Sequence, residues 1–131
     1  MKVSVDTNIL VRSIVLDDVR QGRAAAKLLT EADFVAVPTS ALCEFVWVLR
    51  RTYKFARADL ISAVETLVNA LNVAVDRPAV DSGLAALKAG GDFADGVIAF
   101  EGSWLGADTF VSFDKIAVSL VAAQGQNARL L

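Results

Sequence analysis

Histidine is absent from this chain, and cysteine occurs only once, at Cys43. Without histidine, the chain cannot build a Ser-His-Asp or Cys-His catalytic arrangement of the usual kind. It also lacks a histidine pair that could act as acid and base at a ribose 2′-hydroxyl. A single cysteine excludes an intramolecular disulfide and a zinc site built from thiolates. If the chain is an enzyme, carboxylates, lysines, hydroxyl groups or a bound ion must perform its chemistry.

The chain also lacks a long apolar segment and an excess of positive charge. No stretch of about 18 uncharged apolar residues occurs, so no membrane association is expected. The N-terminal residues lack the apolar region and cleavage site of a secretory signal, which predicts a cytoplasmic protein. The net charge of −2 gives no general argument for nucleic-acid binding. An acidic metal site would, however, lower that total while substrate contacts lie elsewhere.

The length of 131 residues predicts one domain over residues 1–131, and 55% of the residues are hydrophobic. This fraction is slightly above the usual share, so apolar residues remain after a core is built. The surplus predicts a surface for a partner or for a second copy of the chain.

Short apolar runs alternate with segments of helical periodicity. This alternation predicts an α/β fold, a three-layer α/β/α arrangement whose central parallel sheet has four to five strands. Ligands of such sheets bind at the carboxyl ends of the strands. The predicted strands are Val3–Val5, Phe34–Val37, Val73–Val75 and Thr109–Ser112, with a weaker fifth at Ala128–Leu130; the predicted helices are Thr7–Leu16, Arg20–Ala32, Ser40–Lys54, Arg57–Asn69, Val80–Lys88, Asp92–Leu105 and Lys115–Ala123.

Two aspartates directly follow predicted strands, where open α/β sheets place their ligands. Asp6 ends the first strand and Asp114 follows the fourth. Each could instead cap the helix that comes next, because an aspartate side chain accepts hydrogen bonds from the first N–H groups of a helix. Both interpretations stay open from position alone.

Glu44 interrupts an apolar segment of a predicted helix, with eight apolar residues around it between Ala41 and Leu49. We therefore expect its carboxylate to be partly buried. Burying an unpaired carboxylate costs on the order of several kcal/mol unless a cation compensates. An ion pair with an arginine, or exposure at the beginning of the helix, would be the ordinary alternatives.

Asp92 and Asp95 are three residues apart and share one face of a predicted helix. Asp92 could be the N-cap, and Asp95 an acid that favours the positive end of the helix. Because no basic residue in Gly96–Ala99 could pair with Asp95, we favour Asp95 as a metal ligand.

Together these acids predict more than each does alone. Two like charges about 4 Å apart repel by roughly 4 kcal/mol at an effective dielectric constant of about 20, so converging carboxylates need a divalent cation or shared protons. Oxygen ligands favour Mg²⁺ or Mn²⁺ over zinc. Such an ion suits phosphoryl chemistry, because it activates water and stabilises the leaving oxygen.

Four segments resemble, in order and spacing, the acidic motifs of PIN-domain nucleases, especially the toxin subunits of VapBC toxin–antitoxin pairs. The segments are Val5–Asn8, Pro38–Phe45, Asp92–Ala99 and Phe110–Asp114, and they span nearly the whole chain. The resemblance implies metal-binding, catalytic acids at Asp6, Glu44 and Asp95, a fourth and more variable one at Asp114, an accessory acid at Asp92, and supporting hydrogen-bonding residues at Thr7, Asn8 and Ser112.

The same resemblance implies a PIN-like fold and a Mg²⁺- or Mn²⁺-dependent endoribonuclease, the toxin of a type II toxin–antitoxin pair. Its partners would be RNA, a cognate antitoxin protein and a second copy in a homodimer. Without histidine, hydrolysis is expected to leave a 5′-phosphate and a 3′-hydroxyl rather than a cyclic phosphate. The chain departs from the family at Gly96, which predicts a helix loosened by about 1 kcal/mol relative to alanine. The short C-terminal segment leaves the fifth strand in doubt.

Other residues have two interpretations each. The densest basic cluster either contacts RNA phosphates or is a solvated helix end. Both tryptophans, Trp47 and Trp104, are expected in the core or an interface, and Cys43 is expected to pack. The basic cluster consists of Arg50, Arg51, Lys54 and Arg57.

Three other functions compete with an RNA nuclease as interpretations of this sequence. A haloacid-dehalogenase-like phosphatase would need a second aspartate two residues after the first, and Asn8 stands there. A binding module without catalysis fits poorly with an intact set of four acids. A PIN protein that acts on DNA stays open, because the sequence does not choose between RNA and DNA.

Overall fold

Helices and strands alternate along the computed structural model, which describes residues 1–131. The chain forms five strands and seven helices. No helix combines the length and the apolar character that a membrane-spanning segment needs. The strands are β1 (Lys2–Ser4), β2 (Phe34–Ala36), β3 (Val73–Ala74), β4 (Thr109–Ser112) and β5 (Asn127–Leu130); the helices are α1 (Thr7–Ile14), α2 (Val19–Glu31), α3 (Thr39–Arg51), α4 (Arg57–Val68), α5 (Arg77–Lys88), α6 (Phe93–Trp104) and α7 (Lys115–Ala123).

The chain divides into two compact units. The N-terminal unit is Met1–Asp76, and the C-terminal unit is Arg77–Leu131. A single domain over residues 1–131 stays a prediction.

The N-terminal unit contains a parallel sheet in the order β1-β2-β3. Val35 in the central strand is fully buried, as are Leu42 and Phe45 on α3. Helix α1 packs against α2 and α3. Because both β1 and β2 are followed by helices, their carboxyl ends point to the first turns of α1 and α3.

The C-terminal unit contains the parallel pair β4-β5 and a close pair of helices, α5 and α6. The ring of Phe93 lies against Gly83, where a side-chain carbon would collide with it. A side-chain carbon at Gly96 would collide with the backbone carbonyl of Ser82. Gly96, which the sequence predicts only to loosen its helix, therefore allows α6 to approach α5.

The prediction of one central sheet with four to five strands is wrong. The hydrogen-bonded strands form a sheet of three strands and a separate sheet of two. Alternating strands and helices predict parallel pairing, which is confirmed, but do not specify which strands become neighbours. The doubtful fifth strand forms at Asn127–Leu130 and pairs with β4. The three-layer arrangement stays a prediction.

Candidate active site

Asp6 lies between β1 and α1 and is the N-cap of that helix. Its carboxylate Oδ1 accepts a hydrogen bond from the backbone N–H of Ile9 at 3.1 Å. The predicted cap is therefore present, yet it uses only one carboxylate oxygen. Because the residue is exposed, the cap and a ligand role are compatible.

Glu44 lies on the exposed face of α3, and its Oε2 accepts a hydrogen bond from Thr7 Oγ1 at 3.2 Å. The prediction that this carboxylate is partly buried is wrong. The apolar neighbours Leu42, Phe45 and Leu49 are 0% exposed, because the helical period turns them to the opposite side of α3. Exposure near the helix start, the ordinary alternative, is what the structure has.

Asp6 and Glu44 line one cleft of the N-terminal unit. The cleft has a volume of about 410 Å³ and lies where β1 and β2 end. The hydrogen bond from Thr7 joins the two segments that supply these acids. The remaining lining residues are Val5, Asn8, Pro38, Ser40, Ala41 and Val48.

Asp114 is the N-cap of α7 in the C-terminal unit. Its Oδ1 accepts hydrogen bonds from the N–H groups of Ile116 at 2.8 Å and Ala117 at 3.2 Å. Its own backbone N–H donates to Ser112 Oγ at 3.0 Å. Ser112 therefore contacts Asp114, the acid that the resemblance implies it supports. Two backbone N–H groups fix the orientation of the Asp114 carboxylate.

Asp92 and Asp95 lie at the beginning of α6. Asp92 is the N-cap residue, as the sequence allowed, although its side chain makes no capping hydrogen bond. Asp95 is half-buried in the first turn. No protein group donates a hydrogen bond to its carboxylate.

The pKa of Asp95 is raised above its ordinary value. Burial is the largest cause, followed by the negative charges of Asp92 and Asp114. Asp92 and Asp114 are therefore close enough to Asp95 to repel its charge. Burial and this repulsion both make the ionised form of Asp95 unfavourable, and a nearby cation would offset both.

The structure brings the predicted residues together in two groups. The N-terminal acid pair is Asp6 and Glu44, with Thr7 and Asn8 beside it. The C-terminal acid group is Asp92, Asp95 and Asp114. Neither unit contains three or more acidic, histidine or cysteine side chains arranged to hold a metal ion. Convergence of all four predicted ligands on one ion stays a prediction.

The predicted basic cluster lies at the end of α3 and the start of α4. Arg50 and Arg51 occupy the last turn of α3, Lys54 follows with a φ of 58°, and Arg57 begins α4. The guanidinium carbon of Arg51 lies 5.7 Å from the centroid of the Trp47 ring.

Neither tryptophan is in the core, so that part of the expectation is wrong. Trp47 is 60% exposed and Trp104 is 82% exposed. Sequence reasoning missed that Trp47 shares a face with Glu44. The spacing of three residues between them was the available signal.

The family model of the PIN domain matches residues 3–119 of the chain. The matched range includes Asp6, Glu44, Asp95 and Asp114. No curated protein matches the chain.

Proposed function

This chain belongs to the PIN-domain family, and we propose that it is a Mg²⁺- or Mn²⁺-dependent endoribonuclease. PIN domains are generally nucleases, that is, hydrolases of phosphodiester bonds. The observation that carries the proposal is the family match over residues 3–119, with acids at strand and helix ends within it. The choice of RNA over DNA and the toxin role are parts of the proposal.

The donor groups fit a hard divalent cation. They are carboxylate and hydroxyl oxygens, with no imidazole or thiolate among them. The unfavourable ionised form of Asp95 supports this fit, since a cation stabilises a carboxylate that the protein leaves without a donor. We assign Asp6, Glu44 and Asp95 to the principal ion and Asp114 to a second ion or to orienting water. When bound, the ion would activate water and neutralise charge on the leaving oxygen.

The chain's own groups hold these acids in place. The Ile9 N–H fixes one oxygen of Asp6, and Thr7 fixes one oxygen of Glu44. Two N–H groups orient Asp114. Less reorganisation is then needed when substrate arrives, which is how fixed polar groups lower a reaction barrier.

In the proposed reaction, water attacks phosphorus in line with the bond to the 3′-oxygen. A phosphorus–oxygen bond to the water oxygen forms, and the bond to the 3′-oxygen breaks. The 3′-oxygen takes up a proton, so the products carry a 5′-phosphate and a 3′-hydroxyl. No ribose 2′-hydroxyl takes part, in keeping with the absence of histidine.

As the toxin of a type II pair, the protein would act on RNA in the cytoplasm, with a cognate antitoxin and a second copy as partners. Exposed apolar side chains of the C-terminal unit support a homodimer. Leu105 is 86% exposed, Phe113 is 78% exposed and Ile116 is 62% exposed. An antitoxin arginine could pair with the acids in place of the ion.

The test is to incubate the purified chain with single-stranded RNA and DNA of one sequence, with Mn²⁺ or with EDTA, and to map the product ends. We expect RNA fragments with 5′-phosphate and 3′-hydroxyl ends, formed only with the metal. Glu44→Gln should abolish cleavage. The matched control is Glu101→Gln, which changes an exposed acid on α6. Cyclic phosphate ends, or full activity in EDTA, would overturn the mechanism, and cleavage of DNA alone would overturn the choice of RNA.

A further inference from the structure

One exposed face of α3 continues outward from the acid cleft. Ser40, Glu44, Trp47 and Arg51 follow one another at intervals of four, three and four residues, so they lie on one face. All four are exposed. Ser40 and Glu44 line the cleft, and Trp47 and Arg51 extend the same helical surface beyond it.

The Trp47 side chain is unusually exposed for a tryptophan. It is 60% exposed, although tryptophan is usually well buried. The Arg51 guanidinium, 5.7 Å from the ring centroid, is within the range of a cation–π interaction. This contact restrains the indole and places a positive charge beside it, while most of the ring surface remains open to solvent.

Trp104 provides the contrast. It is 82% exposed and is followed directly by Leu105, which is 86% exposed. Such adjoining apolar side chains are typical of a protein–protein contact. Trp47 instead lies between an acid and an arginine on its face of α3. The exposed indole favours an aromatic ligand, and the Arg51 guanidinium beside it favours a negatively charged group on that ligand.

The helical rise sets the scale of this surface. At about 1.5 Å per residue, Trp47 lies about 4.5 Å along the axis from Glu44, and Arg51 about 10 Å. A single strand bound along this face would therefore pass Glu44 first, then Trp47 and then Arg51.

We propose that Trp47 and Arg51 form a stacking site for one base of single-stranded RNA beside the phosphodiester at Glu44. The base stacks on the open indole surface, and the guanidinium edge of Arg51 donates to a flanking phosphate. This proposal rests on the proposed nuclease function. Stacking accepts every base, so the site selects unpaired RNA over duplex RNA and does not read sequence.

The first test uses tryptophan fluorescence. The chain has two tryptophans, so Trp104→Phe leaves Trp47 as the only reporter. A uridine decamer is added in Ca²⁺, which takes the same oxygen ligands, and the RNA is checked for cleavage on a gel. We expect saturable quenching of Trp47 by the decamer and several-fold weaker quenching by a duplex of equal length. In Trp47→Phe, the remaining Trp104 should not respond.

The second test separates binding from catalysis. Trp47→Ala should raise the KM for single-stranded RNA by about tenfold, the scale of one base–aromatic stack, and change kcat by less than about threefold. Trp47→Phe should retain most of the affinity. Trp104→Ala is the matched control and should leave KM unchanged. Arg51→Ala should lower the dependence of binding on salt by about one phosphate contact.

Several outcomes would overturn the stacking site. These are no quenching of Trp47, equal quenching of both tryptophans, or an unchanged KM in Trp47→Ala. Trp47 fluorescence that depends on protein concentration, with self-association lost in Trp47→Ala, would assign the surface to a second copy instead. If the wild type cleaves RNA while Trp47→Ala behaves identically, the nuclease stands and the stacking site falls. If the decamer quenches Trp47 but the wild type cleaves no RNA with Mn²⁺, the stacking site stands and the nuclease function falls.

Discussion

The acids of the two units are held in different ways. In the N-terminal acid pair, Asp6 and Glu44 each accept a hydrogen bond from the protein and are exposed to water. In the C-terminal acid group, Asp95 is half-buried, accepts no such bond and is repelled by Asp92 and Asp114. The protein therefore stabilises the N-terminal acid pair with its own donors and leaves Asp95 without one. In the proposed function, the bound ion would supply the missing stabilisation.

The largest expected effect treats both groups alike. Glu44→Gln and Asp95→Asn should each lower kcat/KM by at least about a hundredfold, because each removes a charged oxygen assigned to the ion. Initial rates on a fluorogenic RNA would measure this loss. If only one of the two variants lost activity, the acids of the two groups would not act on one reaction.

Thr7→Val should have a smaller effect, about tenfold on kcat/KM, because it removes the donor that orients Glu44 but keeps the carboxylate. Thr7→Ser retains the hydroxyl and should recover most of the activity. The same rate measurement applies. A loss in Thr7→Val as large as that in Glu44→Gln would mean that Thr7 acts directly on substrate or ion.

The melting temperature of the metal-free protein should respond differently to substitutions in the two acid groups. In EDTA, Asp95→Asn should raise the melting temperature by roughly 2–4 °C, since it removes a half-buried charge that faces two like charges. Glu44→Gln, at an exposed position, should change it by less than about 2 °C. Scanning calorimetry measures both.

Millimolar Mg²⁺ should raise the melting temperature of the wild type, because ligand binding to the native state alone stabilises it. Asp95→Asn should lose most of that increase. A wild type that melts at the same temperature with and without Mg²⁺ would contradict the assignment of these acids to a metal.

The smallest expected effect concerns pH in the metal-free protein. Hydrogen bonds from Tyr53 and then Arg12 lower the pKa of Asp17, so its contribution to stability is present above the unfolded pKa and is lost as pH falls through the folded one. Asp95 has the opposite sign. Its raised pKa means that the native state loses stability as pH rises from the unfolded pKa through the higher folded one.

Urea unfolding between pH 3 and pH 7 would compare the wild type with Asp17→Asn and Asp95→Asn. The difference for Asp17→Asn should shrink toward low pH. Asp95→Asn should be more stable than the wild type near neutral pH, so its difference in the free energy of unfolding has the opposite sign. That difference should also shrink toward low pH. If both variants were more stable than the wild type near neutral pH, or both less stable, the opposite effects of Asp17 and Asp95 on stability would be contradicted.

Local chemistry made most of the elements predictable. The predicted β4 and α7 agree with the observed bounds, and the predicted caps at Asp6 and Asp114 are confirmed. Apolar runs, cap residues and helical spacing act over a few residues, so they can be read from the sequence. The order of the strands cannot, because pairing joins distant segments; the division into two sheets was missed for this reason.

The error at Glu44 has a different origin. Its sequence neighbours are apolar, but residues adjacent in a helix point in directions about 100° apart. The spacing of Ser40, Glu44, Trp47 and Arg51 defines the exposed face better than the average polarity does. The same spacing would have placed Trp47 on the surface.

The contact between Gly96 and the Ser82 carbonyl has a consequence for genetic selections. Asp95 is attached to a segment of backbone pressed against α5, with no room for even a methyl group at the next position. A substitution at position 96 should therefore disturb the packing through its volume rather than its charge. If the protein stops growth, cells that survive its expression should carry substitutions at this glycine as well as at the acids. The positions substituted in surviving cells would then include residues where α5 packs on α6 as well as the proposed catalytic acids.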